Sequence, residues 1–165
     1  DYKKSGLLAA IPFLAAFCGV LLSGVCSDFL RRRGFSGSVA RKLPVIVGLL
    51  LSASIVGANY TNSTFWMMFF LSLAFFGNGL ASIAWVFVSE IAPEELLGLV
   101  GGVFNFVGNL SAVIVPVVIG YLISGKEGDF QPALVFVAVL ALIGVFNYTV
   151  VVGKVERVVL PNAKQ

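Results

Sequence analysis

Histidine is absent from this 165-residue sequence, and only 12% of its residues are charged. The first absence removes the commonest metal ligand and the usual proton relay, and with them the serine- and metal-hydrolase chemistry that leans on an imidazole. A Gly-x-Ser-x-Gly elbow is also missing, as are paired intramembrane aspartates and any phosphate-binding loop. Enzyme readings are left without a nucleophile–base pair. The shortage of charge excludes a second class. Roughly a quarter of a soluble domain is charged; here half that share accompanies 59% hydrophobic residues and a mean hydropathy of +1.01. Apolar residues gathered in runs of about twenty then mean an all-α integral membrane protein. Cysteine is scarce too. Cys18 and Cys26 fall in one apolar run, without a CxxC spacing, and read as two small apolar residues of a membrane helix instead of a disulfide or metal pair. No metal or organic cofactor is expected.

What charge there is sits in particular places. Five cations lie between Arg31 and Lys42 (Arg31, Arg32, Arg33, Arg41 and Lys42). The net charge of +3 is therefore a topology signal and not a nucleic-acid face. The apolar runs predict five membrane helices, at about residues 5–29, 43–58, 65–89, 94–123 and 131–152. Ser5 is placed as an N-cap of the first, Pro44 in the first turn of the second and Pro132 in that of the fifth. The basic loop 30–42, the link 90–98 and the tail with Lys154, Arg157 and Lys164 are expected in the cytoplasm. The uncharged turn Asn59–Thr64 and the loop Ser124–Asp129 are expected outside. Lys3 and Lys4, on the outer side, run against this orientation. Ala15, Gly19, Ser23 and Ser27 recur every fourth residue, a small-residue stripe that suits close helix packing. The odd number of spans and the start at Asp1 suggest the carboxyl-terminal piece of a longer membrane protein.

Polar side chains at membrane depth need a partner, a cavity or a ligand. Asn78, Ser82, Trp85 and Ser89 follow one another at helical spacings of four, three and four, and Asn105 and Asn109 are four apart on the next span. A short link joins the two spans, so they should be antiparallel neighbours whose stripes face one cavity, with Gly98 and Gly102 allowing a close approach. Structural glue between helices is the plain reading for Ser89. For Ser82, Trp85 and Asn105 a solute site is favoured, because indole ordinarily prefers the bilayer interface and offers a flat face and one N–H to a ligand. No Asp, Glu, Lys or Arg lies deep in any span; Asp28 and Glu90 sit at the span ends, where Glu90 is expected to be solvated or salt-bridged. A channel, or a structural subunit packed through small-residue faces, remains the alternative from another class.

The stretch Gly24-Val-Cys-Ser-Asp28-Phe-Leu-Arg31-Arg32-Arg33-Gly34 resembles the Gly-x-x-x-Asp-Arg-x-Gly-Arg-Arg loop motif of the major facilitator superfamily, without its internal glycine. In it Gly24 would allow close packing, Asp28 would cap or pair across helix ends, and Arg31 and Arg32 would anchor the loop. More specifically, Ala84-Trp85-Val-Phe-Val-Ser-Glu-Ile-Ala-Pro93, Gly101-Gly-Val-Phe-Asn105-Phe-Val-Gly-Asn109 and Pro116-x-x-x-Gly120 resemble helices ten and eleven of its anion:cation symporter branch, the bacterial sugar-acid carriers. The resemblance implies five helices equivalent to helices 8–12 of a twelve-helix fold. It also implies proton-coupled uptake of a sugar-acid anion such as galactonate across the inner membrane by alternating access, with the site between two six-helix halves. Ser82, Trp85 and Asn105 would then contact the substrate, with Asn109 and Asn78 as weaker candidates. The partners would be the lipid bilayer and the amino-terminal half, which would hold the substrate-binding arginine and the proton-coupling carboxylates. The proton would be the coupling ion.

Overall fold

A computed structural model describes residues 2–124 and 129–159 of the chain, and of residues 2–5 and 7 the backbone alone. Among the described residues every regular element is helical. In chain order these are α1 (Tyr2–Arg32), α2 (Gly37–Ala53), α3 (Thr64–Ala81), α4 (Ala84–Ile91), α5 (Leu97–Ser124) and α6 (Gln131–Phe146). A 3₁₀ helix over Ser54–Tyr60 prolongs α2, a single 3₁₀ turn over Glu94–Leu96 leads into α5, and a π turn over Asn147–Val151 ends α6. Five segments are long and apolar enough to cross a membrane: Leu8–Arg32, Gly37–Tyr60, Thr64–Ile91, Glu94–Ser124 and Gln131–Val151. The expected outer-loop residues 125–128 and Lys164 lie outside the described residues, as do the side chains of Lys3 and Lys4.

Three expectations need correction. Ser5 lies inside α1 and does not cap it. The loop 30–42 is mostly helix: α1 runs on to Arg32, and α2 starts at Gly37, where the Ser36 hydroxyl accepts a hydrogen bond from the Val39 N–H at 3.3 Å. Pro44 is consequently interior to α2. Charged residues in a helix that extends past the apolar layer read as loop by hydropathy, which explains the error. Third, the span predicted as one helix over 65–89 is interrupted. Ser82, Trp85 and Val86 donate their N–H groups to the carbonyls of Gly79, Ser82 and Ile83, each three residues back. This is a 3₁₀ segment without a proline. Gly77 and Gly79, each about 1 kcal/mol poorer than alanine as helix formers, weaken the preceding turn.

α3 lies at the centre, packed on α1 to one side and α2 to the other, while α6 packs on α2. The contacts rest on glycine. A Cβ placed on Gly19 of α1 would strike the Phe76 carbonyl oxygen, and one on Gly79 the Ala16 carbonyl oxygen. Gly48 of α2 and Gly77 of α3 meet in the same reciprocal way. Ser23 and Ser27 are buried in the α1 stripe, so the stripe is a packing face. Phe13 and Phe75 meet edge to face at 5.3 Å nearer its start. Two small apolar clusters complete the core: Val45, Ile83 and Phe87 with Tyr148, and Ile55, Ala74 and Ala138. No residue of α5 is buried; it touches α4 and α6 and otherwise presents its surface outward.

α1 stops at a glycine. Gly34 has φ +88°, with its N–H on the Arg31 carbonyl at 3.0 Å and the Phe35 N–H on the Leu30 carbonyl at 3.2 Å, the paired bonds of a left-handed helix terminus. Gly34→Val is therefore expected to cost about 1–2 kcal/mol, and Gly34→Asn clearly less, in thermal unfolding of the detergent-solubilised protein. Equal effects of the two would mean that this backbone conformation is not held.

Candidate functional site

Trp85 lies at the start of α4, just beyond the 3₁₀ segment. Its side chain is 53% exposed. Its ring meets Phe104 of α5 edge to face at 4.9 Å between centroids. Three residues further along α4, Val88 is the nearest neighbour of Gly101, three residues back along α5. That register makes α4 and α5 antiparallel, as the short link between them requires. Ile91, where the span ends, is six residues from Trp85, about 9 Å along a helix axis. The tryptophan therefore lies in the last third of the apolar segment Thr64–Ile91.

The polar stripe does not survive as one face. Each residue of a 3₁₀ turn advances about 120° instead of 100°, so α4 is turned about its axis relative to α3. Asn78 borders a groove of about 380 Å³ between α2, α3 and α6, together with Ser52 and Leu140. Trp85 instead faces α5. Ser82 sits in the break, its N–H bonded to the Gly79 carbonyl and its carbonyl taken by Trp85. On α5, Asn105 follows Phe104, and Asn109 donates its side-chain amide to both the Asn105 side-chain oxygen, at 2.7 Å, and the Asn105 carbonyl, at 2.8 Å. This pair is exposed and its outward hydrogen-bonding capacity is partly spent on itself. Ser89 likewise donates to the Val86 carbonyl at 2.8 Å. Gly98 and Gly102 have no neighbour within reach of a Cβ, so among the described residues they do not provide the close approach expected of them. The same holds for Gly24.

A second constellation lies at the end of the bundle where α1, α2 and α4 meet. Arg41, on α2, is largely buried and reaches both α1 and α4. Its Nε and Nη2 hold Glu90 Oε1 at 2.9 and 2.8 Å, its Nη1 donates to the buried Ser27 hydroxyl at 3.0 Å, and Asp28 Oδ1 lies at 3.9 Å. Glu90 is thus salt-bridged, as expected. Asp28 does pair across helix ends, but with Arg41 instead of the adjacent Arg31 and Arg32. After α6 the extended chain lies over the same end. The Val155 N–H donates to Ser38 Oγ at 2.7 Å, the Val158 N–H to the Ile91 carbonyl at 2.9 Å, Lys42 to the Val152 carbonyl, and Arg157 to Glu94 and the Ser89 carbonyl.

The sequence model of the Major Facilitator Superfamily matches residues 2–164. The chain belongs to that superfamily. Among curated relatives, it is 55% identical over 155 residues to a D-galactonate transporter of Escherichia coli O6:H1, covering 94% of this chain and 36% of the relative. It is 46% identical over 157 residues to a probable galactarate/D-glucarate transporter of Escherichia coli K12, covering 95% and 35%. A probable galactarate/D-glucarate transporter of Bacillus subtilis is 41% identical over 162 residues, covering 98% and 35%. The chain spans about a third of the length of these relatives. Membership of the superfamily makes it part of a multi-pass membrane transporter and not of an enzyme.

Two features of this superfamily member escaped the sequence. Arg41 was grouped with the basic loop, although it lies inside α2 and joins three elements. Its signal was weak: a cation one turn past a helix start, with two carboxylates, Asp28 and Glu90, at ends of other spans on the same side. The second feature is Phe104, the aromatic that Trp85 meets.

Proposed function

We propose that the chain is the carboxyl-terminal half, less its first helix, of a proton-coupled symporter. The transporter would carry a sugar-acid anion such as galactonate across the bacterial inner membrane by alternating access. The observation that carries this reading is the half-exposed Trp85 set edge-on to Phe104, in a chain 55% identical to a D-galactonate transporter. α1, α2, the α3–α4 pair, α5 and α6 correspond to helices 8–12 of a twelve-helix fold, the broken third span being helix ten. The outward surface of α5 suits a wall shared with the amino-terminal half.

The chemistry available here is neutral. Trp85 offers a ring face and an N–H, Ser82 a hydroxyl at the helix break, and Asn105 and Asn109 amide groups, with Asn78 a separate candidate on the far side of α3. Such groups suit the hydroxyls of a sugar acid. Its carboxylate needs a cation, and proton coupling needs a titratable group; both fall to the amino-terminal half, and the proton is the sole coupling species required. The basic loop 30–42, the link 90–98 and the tail lie together at one end, joined by Arg41–Glu90 and Arg157–Glu94, and their cations make that end cytoplasmic.

The test is proton-driven uptake of labelled galactonate by the full-length protein. At limiting substrate, Trp85→Ala should lower the rate about tenfold and Ser82→Ala and Asn105→Ala about two- to tenfold. Normal transport by all three variants would remove these residues from the site. Saturable uptake that supports counterflow separates this carrier from a channel; flux that neither saturates nor exchanges would overturn it.

A further inference from the structure

The end of α1 carries three arginines that, among the described residues, form no ion pair. Arg31, Arg32 and Arg33 are exposed; the bridges there belong to Arg41 and Arg157. Beneath Arg33, toward the membrane interior, a groove of about 260 Å³ opens between α1 and α2. Its walls are Cys26, Phe29 and Leu30 from α1 and Leu43, Pro44 and Val47 from α2, with Leu80 of α3 at its floor. The two features are physically joined. The Arg33 guanidinium lies 4.5 Å over the ring of Phe29, which lines the groove, so a cation–π contact fixes an unpaired positive charge at the groove's mouth.

We propose that this groove is a binding site for one anionic glycerophospholipid of the leaflet in which α1 ends. Part of an acyl chain lies along Phe29, Leu43 and Val47, and the phosphate diester sits against Arg33 with Arg31 and Arg32 beside it. The order along the membrane normal, cationic above and apolar below, is the order of a phospholipid. A protein helix laid in the groove would have to bring carboxylates to the same height to meet three arginines. Basic clusters beside a membrane helix attract anionic headgroups, each cation contributing about fivefold in affinity.

The experiment uses the full-length protein, delipidated in neutral detergent, offered dioleoyl-phosphatidylglycerol or dioleoyl-phosphatidylcholine and read by native mass spectrometry. One phosphatidylglycerol is expected to be retained in preference to phosphatidylcholine by tenfold or more. The triple variant R31Q/R32Q/R33Q should lose that preference, and R31K/R32K/R33K should keep most of it. Val47→Trp, which fills the groove with all three arginines intact, should abolish retention while leaving uptake of labelled galactonate measurable. Equal retention of the two lipids overturns the site, and so does undiminished retention by Val47→Trp, which would place the lipid elsewhere. Neither result bears on the solute site around Trp85.

Discussion

Gly77→Ala and Gly79→Ala are expected to destabilise the full-length protein by about 1–3 kcal/mol each. The reason is what the methyl would meet. At Gly79 it falls on the Ala16 carbonyl oxygen of α1, and at Gly77 on the Gly48 carbonyl oxygen of α2. Both obstacles are backbone, which cannot turn aside as a side-chain end can. Apolar burial does not drive helices together in lipid, so packing depends on backbones approaching through small residues. α3 is held this way on two sides at once, two residues apart, and the contact is reciprocal at Gly19 and Gly48. Gly102→Ala on α5 is the control, because nothing lies within reach of its Cβ. Thermal unfolding in detergent, followed by the loss of the monodisperse peak, should separate the two central glycines from Gly102. If all three variants melt with the wild type, the helices do not approach as closely as described.

The spans were legible in the sequence because hydropathy reads the apolar layer directly, and the α1 stripe because spacing by four needs no tertiary information. Where helices continue beyond that layer the same signal fails: residues 37–42, with Ser38, Arg41 and Lys42, break the apolar run, yet they form the first turns of α2. The break at Ser82–Ile83 was illegible for a different reason. It has no proline, and its cause is local tightening after two glycines whose positions are pinned by other helices. That break also undid the stripe argument, since face-sharing at three- and four-residue spacing holds only along a continuous α-helix. Hence Asn78 parted from Trp85, while the antiparallel pairing of α4 and α5, which needs only a short link, was readable. Glycine misled where it was judged by motif alone. Gly24 and Gly102 face open space, whereas Gly77 and Gly79, which no motif singled out, meet neighbouring backbones as closely as Gly19 of the α1 stripe does. The Arg41 cluster was legible only in part: Glu90 was open to a salt bridge, but its partner was not readable, because the members come from residues 27, 28, 41 and 90 and only the fold brings them together.

Arg41→Ala is the second large effect, expected to cost about 2 kcal/mol or more. The substitution removes one hydrogen bond and a second ion-pair contact to Glu90, and the hydrogen bond to the fully buried Ser27 hydroxyl. Asp28 is mostly exposed and 3.9 Å away, so solvent screens it and its loss matters little. Most of the penalty comes from Glu90, which is left with its charge partly desolvated and no partner. The double variant Arg41→Ala/Glu90→Ala should therefore be less destabilised than the sum of the two single changes. Arg41→Lys keeps the charge but loses the fork that spans Glu90 and Ser27, and should recover only part of the stability. Because Glu90 is on α4, seven residues from Ile83 in the helix break and five from Trp85, the same cluster fixes how α4 sits. Uptake by Arg41→Lys should then fall further than its stability loss explains, with the apparent affinity for galactonate altered as well as the rate. An Arg41→Lys protein with wild-type transport, or single and double alanine variants that add without coupling, would show that α4 is positioned by its packing against α2 and not by this ion pair.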